Sequence, residues 1–186
     1  MSAEEFKTAI TGKFVVADTN ILIKAFENPS YFKGFFEFLI DCNCDIANSE
    51  LVNFEFTRND YLPEIIKLKE EFLAKINATF TIPYTNGILK EALEIAKVYS
   101  HQGIQKGQIS LVDCCIAALL KQYDKKLFLV TLNHLDFPIS LFDREYIFPI
   151  NAGDNVMSLA FYRFNNEKWQ KLQECLKKIK IGREVT

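Results

Sequence analysis

The chain has 186 residues, of which 49% are hydrophobic and 25% are charged, and it contains 17 Phe. This length and composition exclude intrinsic disorder and predict one globular domain, because a chain of this size buries roughly two thirds of its unfolded surface. The formal net charge of -2 gives no overall basic surface, which disfavours a DNA-wrapping protein but leaves a nuclease open.

Membrane insertion and structural zinc are also disfavoured. The longest apolar run, Cys114 to Leu120, is far shorter than the roughly 20 residues that cross a bilayer, and the first residues are acidic where a signal peptide is basic. Five cysteines without a Cys-x-x-Cys pair, and only two histidines, argue against a zinc site. The sequence therefore predicts a cytoplasmic protein without membrane contact.

Short strands alternate with helices along the chain, which is typical of βαβ units around a mostly parallel sheet. Residue pattern predicts strands at Phe14 to Ala17, Asp45 to Ala47, Thr79 to Ile82, Leu127 to Thr131 and, at an edge, Tyr146 to Pro149. It predicts helices at Ile21 to Phe26, Tyr31 to Cys42, Glu50 to Arg58, Pro63 to Asn77, Ile88 to Gln102, Leu111 to Asp124, Asn155 to Phe164 and Glu167 to Ile179. Helix caps are expected at Ser49, Asn86 and Ser110. We therefore expect an α/β fold.

Three aspartates stand where such a fold places ligands. Asp18 directly follows the first strand, and Asp136 comes five residues after Thr131, the end of a later strand. Ligands of open α/β sheets bind at the carboxyl ends of the strands. Asp113 lies in the first turn of a helix that is apolar nearly all round, where a charge is costly unless it is compensated.

A fourth acid comes from the helix after the second strand, which contains both Glu50 and Glu55. Glu50 lies at the start of the helix, where a negative charge is favourable near the positive helix end. Glu55 is past that zone and is flanked by Phe54 and Phe56. We therefore favour Glu55 for the site.

Each acid also has a purely structural interpretation. Asp18 could open an Asx-turn, and Asp113 could only complete a cap with Ser110. Asp136 could be a loop charge, and Glu55 could form an ion pair with Arg58. Taken together, however, four acids at one edge of a sheet would repel one another unless a divalent cation lay between them. The sequence thus predicts a carboxylate metal site.

Four motifs carry a family resemblance. They are Val-Val-Ala-Asp18-Thr-Asn20, Asn48-Ser49-Glu-Leu-Val-Asn-Phe-Glu55, Ser110-Leu-Val-Asp113-Cys-Cys-Ile-Ala-Ala and Leu-Val-Thr131-Leu-Asn133-His-Leu-Asp136-Phe. In this order they resemble the PIN-domain ribonucleases, especially the VapC-type toxins, over roughly residues 13 to 137. The last two motifs, about twenty residues apart, are the most specific part.

The resemblance implies a PIN-like three-layer fold with a mostly parallel central sheet flanked by helices. Residues 1–150 would form the nuclease domain, and residues 151–186 a C-terminal helical extension packed on the same domain. The ligands of Mg²⁺ or Mn²⁺ would be Asp18, Glu55, Asp113 and Asp136. The polar side chains that support them would be Asn20, Thr131, Asn133 and Ser110.

The implied activity is hydrolysis of RNA by a water that one or two ions activate, leaving a 5′-phosphate. This chemistry needs no histidine, and we interpret His134 as loop surface. Two alternatives stay open. One is a PIN-like scaffold without catalysis, and the other is an Asp-nucleophile phosphatase, although its Asp-x-Asp motif is here Asp18-Thr19-Asn20.

The resemblance also implies the toxin half of a toxin–antitoxin pair, in which the antitoxin inserts a basic side chain among the acids. The Phe-rich segment Tyr31 to Leu39 is best explained by core packing, with an antitoxin groove or a homodimer face as the alternative. The basic stretch Lys168 to Arg183 favours a solvated helix face, with an RNA-facing or partner-facing helix as the alternative.

Overall fold

A computed structural model describes residues 2–58, 60–76, 80–101 and 109–184 of the chain, without the side chains of residues 101 and 179–184. In this part of the chain the strands are β1 (Phe14–Ala17), β2 (Asp45–Ser49), β3 (Phe80–Ile82), β4 (Leu127–Thr131), β5 (Phe142–Ala152) and β6 (Asn155–Phe164). They form one sheet in the order β3-β2-β1-β4-β6-β5. Strands β1 to β4 are parallel, whereas β6 is antiparallel to both β4 and β5. The four parallel strands therefore end at the same side of the sheet, which we call the carboxyl edge.

The helices of the described residues are α1 (Ala3–Ile10), α2 (Thr19–Glu27), α3 (Pro29–Asp41), α4 (Glu50–Thr57), α5 (Pro63–Lys75), α6 (Asn86–His101), α7 (Leu111–Tyr123) and α8 (Asn166–Glu184). α1 and α3 pack on one face of the sheet and α7 on the other, so the fold has the three layers expected. α8 joins the α7 layer through Trp169, whose ring lies 4.3 Å from the Lys121 ammonium and 5.8 Å from the Phe164 ring. In the ranges described, none of the helices combines the length and the apolar character of a membrane span.

Core packing accounts for most of the Phe-rich segment Tyr31 to Leu39. Phe32 and Phe35 are buried, and the rings of Phe35 and Phe38 lie 5.8 and 5.2 Å from the ring of Phe148 on β5. These rings fill the space between α3 and the β5–β6 hairpin. The favoured interpretation of this segment is therefore correct for its buried aromatics.

The predicted helix Asn155 to Phe164 is wrong, because these residues form strand β6. Its apolar residues fit helical spacing and strand alternation equally well, since the middle of β6 is buried on both faces. Pairing decides between them: Thr131 of β4 lies opposite Ala160, and Phe148 of β5 lies opposite Leu159. The overlooked signal is Gly153, whose φ of 65° belongs to a tight hairpin turn.

The other predicted boundaries of strands and helices differ less from those of the structure. The predicted edge strand Tyr146 to Pro149 does lie at the edge, but β5 runs from Phe142 to Ala152 and continues across residue 150. Of the predicted helical extension 151–186, only Asn166–Glu184 is helical in the described part. α1 was not predicted, and the α6 cap is Thr85 rather than Asn86, since the Thr85 hydroxyl accepts the Ile88 N–H at 3.3 Å. The predicted limits at Asn77, Thr79 and Gln102 lie outside the described residues.

Candidate active site

Asp18 occupies the first position beyond β1. Its backbone N–H donates to the Val130 carbonyl at 3.0 Å, which continues the β1–β4 ladder and sets the carboxylate beside the end of β4. Although Asp18 is the N-cap residue of α2, its side chain makes no capping hydrogen bond. Instead Oδ2 accepts from the Thr131 hydroxyl at 2.7 Å and from Asn20 Nδ2 at 2.6 Å. These contacts account for the side chain better than an Asx-turn does.

A polar network joins the ends of β1 and β4. The Thr131 hydroxyl is fully buried and accepts from Asn20 Nδ2 at 3.1 Å and from the Asn133 N–H at 2.9 Å. Asn133 Nδ2 in turn donates to Oδ2 of Asp136. Asn20, Thr131 and Asn133, three of the four polar residues that the resemblance places around the acids, thus orient Asp18 and Asp136.

Asp113 completes a capping box at the start of α7. Its N–H donates to the Ser110 hydroxyl at 3.1 Å, and its Oδ2 accepts the Ser110 N–H at 2.7 Å. The structural interpretation of this acid is therefore correct. It does not exclude the functional one, because the cap also fixes the carboxylate close to the other acids.

The two glutamates of α4 point to different places. Glu55 Oε2 accepts from the Thr19 hydroxyl at 2.8 Å, and Oε1 lies 3.9 Å from the Arg58 guanidinium. Glu50 Oε2 accepts the Tyr84 N–H at 2.7 Å, beyond the end of β3. Of the two side chains, Glu55 is the one that faces the end of β1.

Asp136 has an anchor that the sequence did not suggest. Tyr99 of α6 is buried, and its hydroxyl donates to the backbone carbonyl of Asp136 at 3.1 Å. Nothing in an amphipathic helix indicates which loop a buried tyrosine will reach. His134, expected on the loop surface, is partly buried, with Nδ1 lying 3.2 Å from the Tyr162 hydroxyl.

The four acids interact electrostatically. Burial, followed by the charges of Asp113 and Glu55, raises the pKa of Asp18 to about 6 against the opposing hydrogen bond from Thr131. Burial and the charges of Asp113 and Asp18 raise the pKa of Asp136 to about 6. Burial and Glu55 raise the pKa of Asp113, although Ser110 opposes this. Each carboxylate therefore lies within electrostatic range of at least two others.

The donor chemistry of this cluster fits a hard divalent cation. Mg²⁺ and Mn²⁺ prefer oxygen ligands, and a cation would offset the repulsion among the four carboxylates. Across the described ranges, no three His, Cys, Asp or Glu side chains already converge as a formed metal site.

A buried lysine holds the helix that carries Glu55. Lys69 of α5 donates to the Phe56 carbonyl, pairs with Asp60, and lies 4.5 Å from the centroid of the Phe56 ring. It thereby anchors the C-terminal end of α4 to α5. Sequence reasoning missed this residue because a lysine on an amphipathic helix is ordinarily exposed.

Comparison with known proteins agrees with this geometry. The model of the PIN domain matches residues 15–134, which is well over half of the chain. The matched range includes Asp18, Glu55 and Asp113 and ends just before Asp136. A search of the curated proteins finds no match. Since the matched range also carries the parallel part of the sheet, we conclude that this chain belongs to the PIN-domain family, whose members are generally nucleases.

Proposed function

We propose that this protein is a divalent-metal-dependent ribonuclease that hydrolyses RNA phosphodiester bonds. The observation that carries the proposal is the placement of four carboxylates at the carboxyl edge. Asp18 follows β1 and Asp136 follows β4, while Glu55 of α4 and Asp113 of α7 are held by the hydroxyl of Thr19 and the cap at Ser110. Such a cluster is unfavourable for an isolated protein, and it becomes favourable when a cation binds. A cation in that position is also what phosphodiester hydrolysis needs.

In this proposal Asp18, Glu55, Asp113 and Asp136 hold Mg²⁺ or Mn²⁺, which when bound stabilises charge on the phosphoryl group and lowers the pKa of water. Polar side chains of the protein orient the carboxylates. Thr131 and Asn20 fix the Asp18 carboxylate, and Asn133 fixes that of Asp136. A carboxylate with a pKa of about 6 is ionised at neutral pH and is basic enough to accept a proton from an attacking water.

The two alternatives account for less of the geometry. An Asp-nucleophile phosphatase would place a second carboxylate two residues after Asp18, but Asn20 stands there and donates to Asp18 instead. A scaffold without catalysis would have no need of four acids whose mutual repulsion disfavours the folded state.

Cleavage of labelled single-stranded RNA tests the proposal. The purified protein should cut RNA with Mg²⁺ or Mn²⁺ and should not cut it with chelator. Asp113→Asn should lower the rate at least about a hundredfold, whereas Asp154→Asn, in the exposed hairpin turn, should cut at the parent's rate. Metal-independent cleavage, or equal rates for the parent and Asp113→Asn, would contradict the proposal.

We also propose that the enzyme is the toxin of a toxin–antitoxin pair and that its antitoxin controls access to the site. The support is the family resemblance together with a cluster of acids that a partner's Arg or Lys could neutralise in place of the metal. Expression in a bacterial host should stop growth, and co-expression of the adjacent open reading frame should restore it. Growth should also continue with Asp113→Asn. If the soluble parent protein cuts RNA in vitro but its expression is harmless, the toxin proposal is wrong and the protein is a housekeeping ribonuclease.

A further inference from the structure

The loop between β4 and β5 carries Asp136 and continues into a turn at residues 138–142. The N–H groups of Leu141 and Phe142 both donate to the Pro138 carbonyl, at 2.9 and 3.0 Å, and so close this turn. The side chains of Leu141 and Phe142 are fully buried. The turn is therefore a fixed point at the downstream end of the loop that holds Asp136.

Two residues at the start of α8 bind this turn, and we call Asn165 and Lys168 the α8 clamp. Asn165 directly precedes α8, and its N–H donates to the Leu141 carbonyl at 2.9 Å. The Lys168 ammonium donates to the carbonyls of Ile139 and Phe142 at 2.8 and 3.1 Å. Asn165 Oδ1 accepts the Lys168 N–H at 2.9 Å, which fixes the two clamp residues relative to each other. Three carbonyls of the turn are thus bound by the clamp.

The Lys168 ammonium is fully occupied by these contacts. Its third acceptor is Oδ1 of Asp143 at 2.7 Å, and Oδ2 of the same carboxylate accepts from Asn165 Nδ2 at 2.8 Å. Because an ammonium has three N–H donors, each of them has an acceptor. Lys168 begins the basic stretch for which the sequence favoured a solvated helix face, but its side chain is only 36% exposed. This lysine is therefore part of the internal hydrogen bonding of the protein.

Aromatic packing connects the clamped turn to Asp136. Phe137 directly follows Asp136 and is fully buried, and its ring lies 5.4 Å from the ring of Phe142 and 6.1 Å from the ring of Tyr162 on β6. Because a closely packed interior transmits displacement, a shift of the turn would move Phe142 and Phe137 together. The hydrogen bonds described above hold Asp136 from the upstream side of the loop. The α8 clamp holds it from the downstream side.

We propose that Lys168 is a positioning residue of the active site, which sets the Asp136 carboxylate for the metal through the turn at residues 138–142. This inference rests on the proposed function, which assigns Asp136 to the metal. The α8 clamp lies beyond residues 15–134, the range that the PIN-domain model matches. Residues that orient metal ligands typically contribute roughly 10- to 100-fold to metal affinity or activity. The segment after the matched range therefore takes part in building the site.

Metal affinity tests the proposal without relying on cleavage. Binding of Mn²⁺ to the full chain is followed by the electron paramagnetic resonance signal of the free ion, at a temperature at which each variant is folded by circular dichroism. Lys168→Met should weaken Mn²⁺ binding roughly tenfold and, at saturating Mn²⁺, lower kcat for RNA roughly tenfold. The KM for RNA should stay within about twofold, because Lys168 acts through Asp136 rather than on the RNA. Lys168→Arg should lie between the parent and Lys168→Met, because a planar guanidinium does not match the same three acceptors.

Two matched variants separate positioning from the loss of a charge and from a looser α8. Lys171→Met removes the same charge from an exposed position one turn further along α8. Lys121→Met removes a lysine that pairs with Glu91 and lies 4.3 Å from the Trp169 ring, so it disturbs the packing of α8 but leaves the α8 clamp in place. Both variants should bind Mn²⁺ within about twofold of the parent.

Failure of this inference can be distinguished from failure of the proposed function. If the parent binds Mn²⁺ and cuts RNA but Lys168→Met binds Mn²⁺ within about twofold of the parent, Lys168 is only structural and the ribonuclease stands. An equal loss of affinity in Lys121→Met would also overturn the inference, because a loosened α8 would then account for both. If Lys168→Met does not fold, Lys168→Arg decides by the same twofold limit. If the parent neither binds Mn²⁺ nor cuts RNA, both the inference and the proposed function are wrong.

Discussion

Replacement of Asp18 by Asn should stabilise the metal-free protein at alkaline pH. Burial and neighbouring acids raise the pKa of Asp18 from 3.8 to about 6 in the folded state. The folded protein therefore holds this proton more tightly than the unfolded chain does. The stabilisation of the folded state that comes from this bound proton is fully present below about pH 4 and is lost as the pH rises through about 6. Ionisation of Asp18 thus costs the folded state about 3 kcal/mol.

The neutral amide removes this cost and keeps one oxygen that can accept from Thr131 or Asn20. At pH 8 in chelator, Asp18→Asn should therefore unfold with a free energy up to about 3 kcal/mol above that of the parent. Near pH 4, where the parent's carboxyl is protonated, the two proteins should differ little. Saturating Mn²⁺ should reverse the order at pH 8, because a cation that binds only the folded state stabilises the parent.

Urea unfolding followed by the fluorescence of Trp169, the single tryptophan, measures these free energies. Asp154→Asn in the exposed hairpin turn is the control, and its stability relative to the parent should not change between the two pH values. A metal-free Asp18→Asn that is less stable than the parent at pH 8 would refute the reasoning. Asp18 would then be a structural hydrogen-bond acceptor rather than a carboxylate that a cation must compensate.

Three further predictions concern the surroundings of the site. Glu55→Gln should lower the rate of RNA cleavage about a hundredfold or more, whereas Glu50→Gln should keep most of the activity. If the two rates were reversed, Glu50 rather than Glu55 would belong to the site. Tyr99→Phe should lower the free energy of unfolding by about 1 kcal/mol and the cleavage rate roughly tenfold, because the Asp136 carbonyl loses its hydrogen-bond donor. An unchanged cleavage rate would show that this hydrogen bond does not position Asp136. Lys69→Met should lower the unfolding free energy by roughly 2 kcal/mol, because the Phe56 carbonyl loses its donor and the partly exposed Asp60 loses its partner. A change below about 0.5 kcal/mol would mean that solvent replaces both contacts.

The positions of the acids could be predicted because parallel strands end at a common edge. β1 and β4 were recognised from their apolar runs, which placed Asp18 and Asp136 at that edge without further information. The cap at Ser110 was equally local, because a capping box needs only residues three apart. The choice of Glu55 over Glu50 as the site residue rests on their positions in the helix alone.

The sequence by itself therefore determined the local features: the parallel strands, most helices and the edge on which the acids lie. Tertiary structure alone decided that Asn155–Phe164 is a strand, because its apolar pattern suits either state until β4 and β5 supply hydrogen-bond partners. It also decided that Lys69 is buried and that Tyr99 reaches Asp136. These contacts join residues from different elements. Their free energy depends on burial and pairing that exist only once the elements have packed.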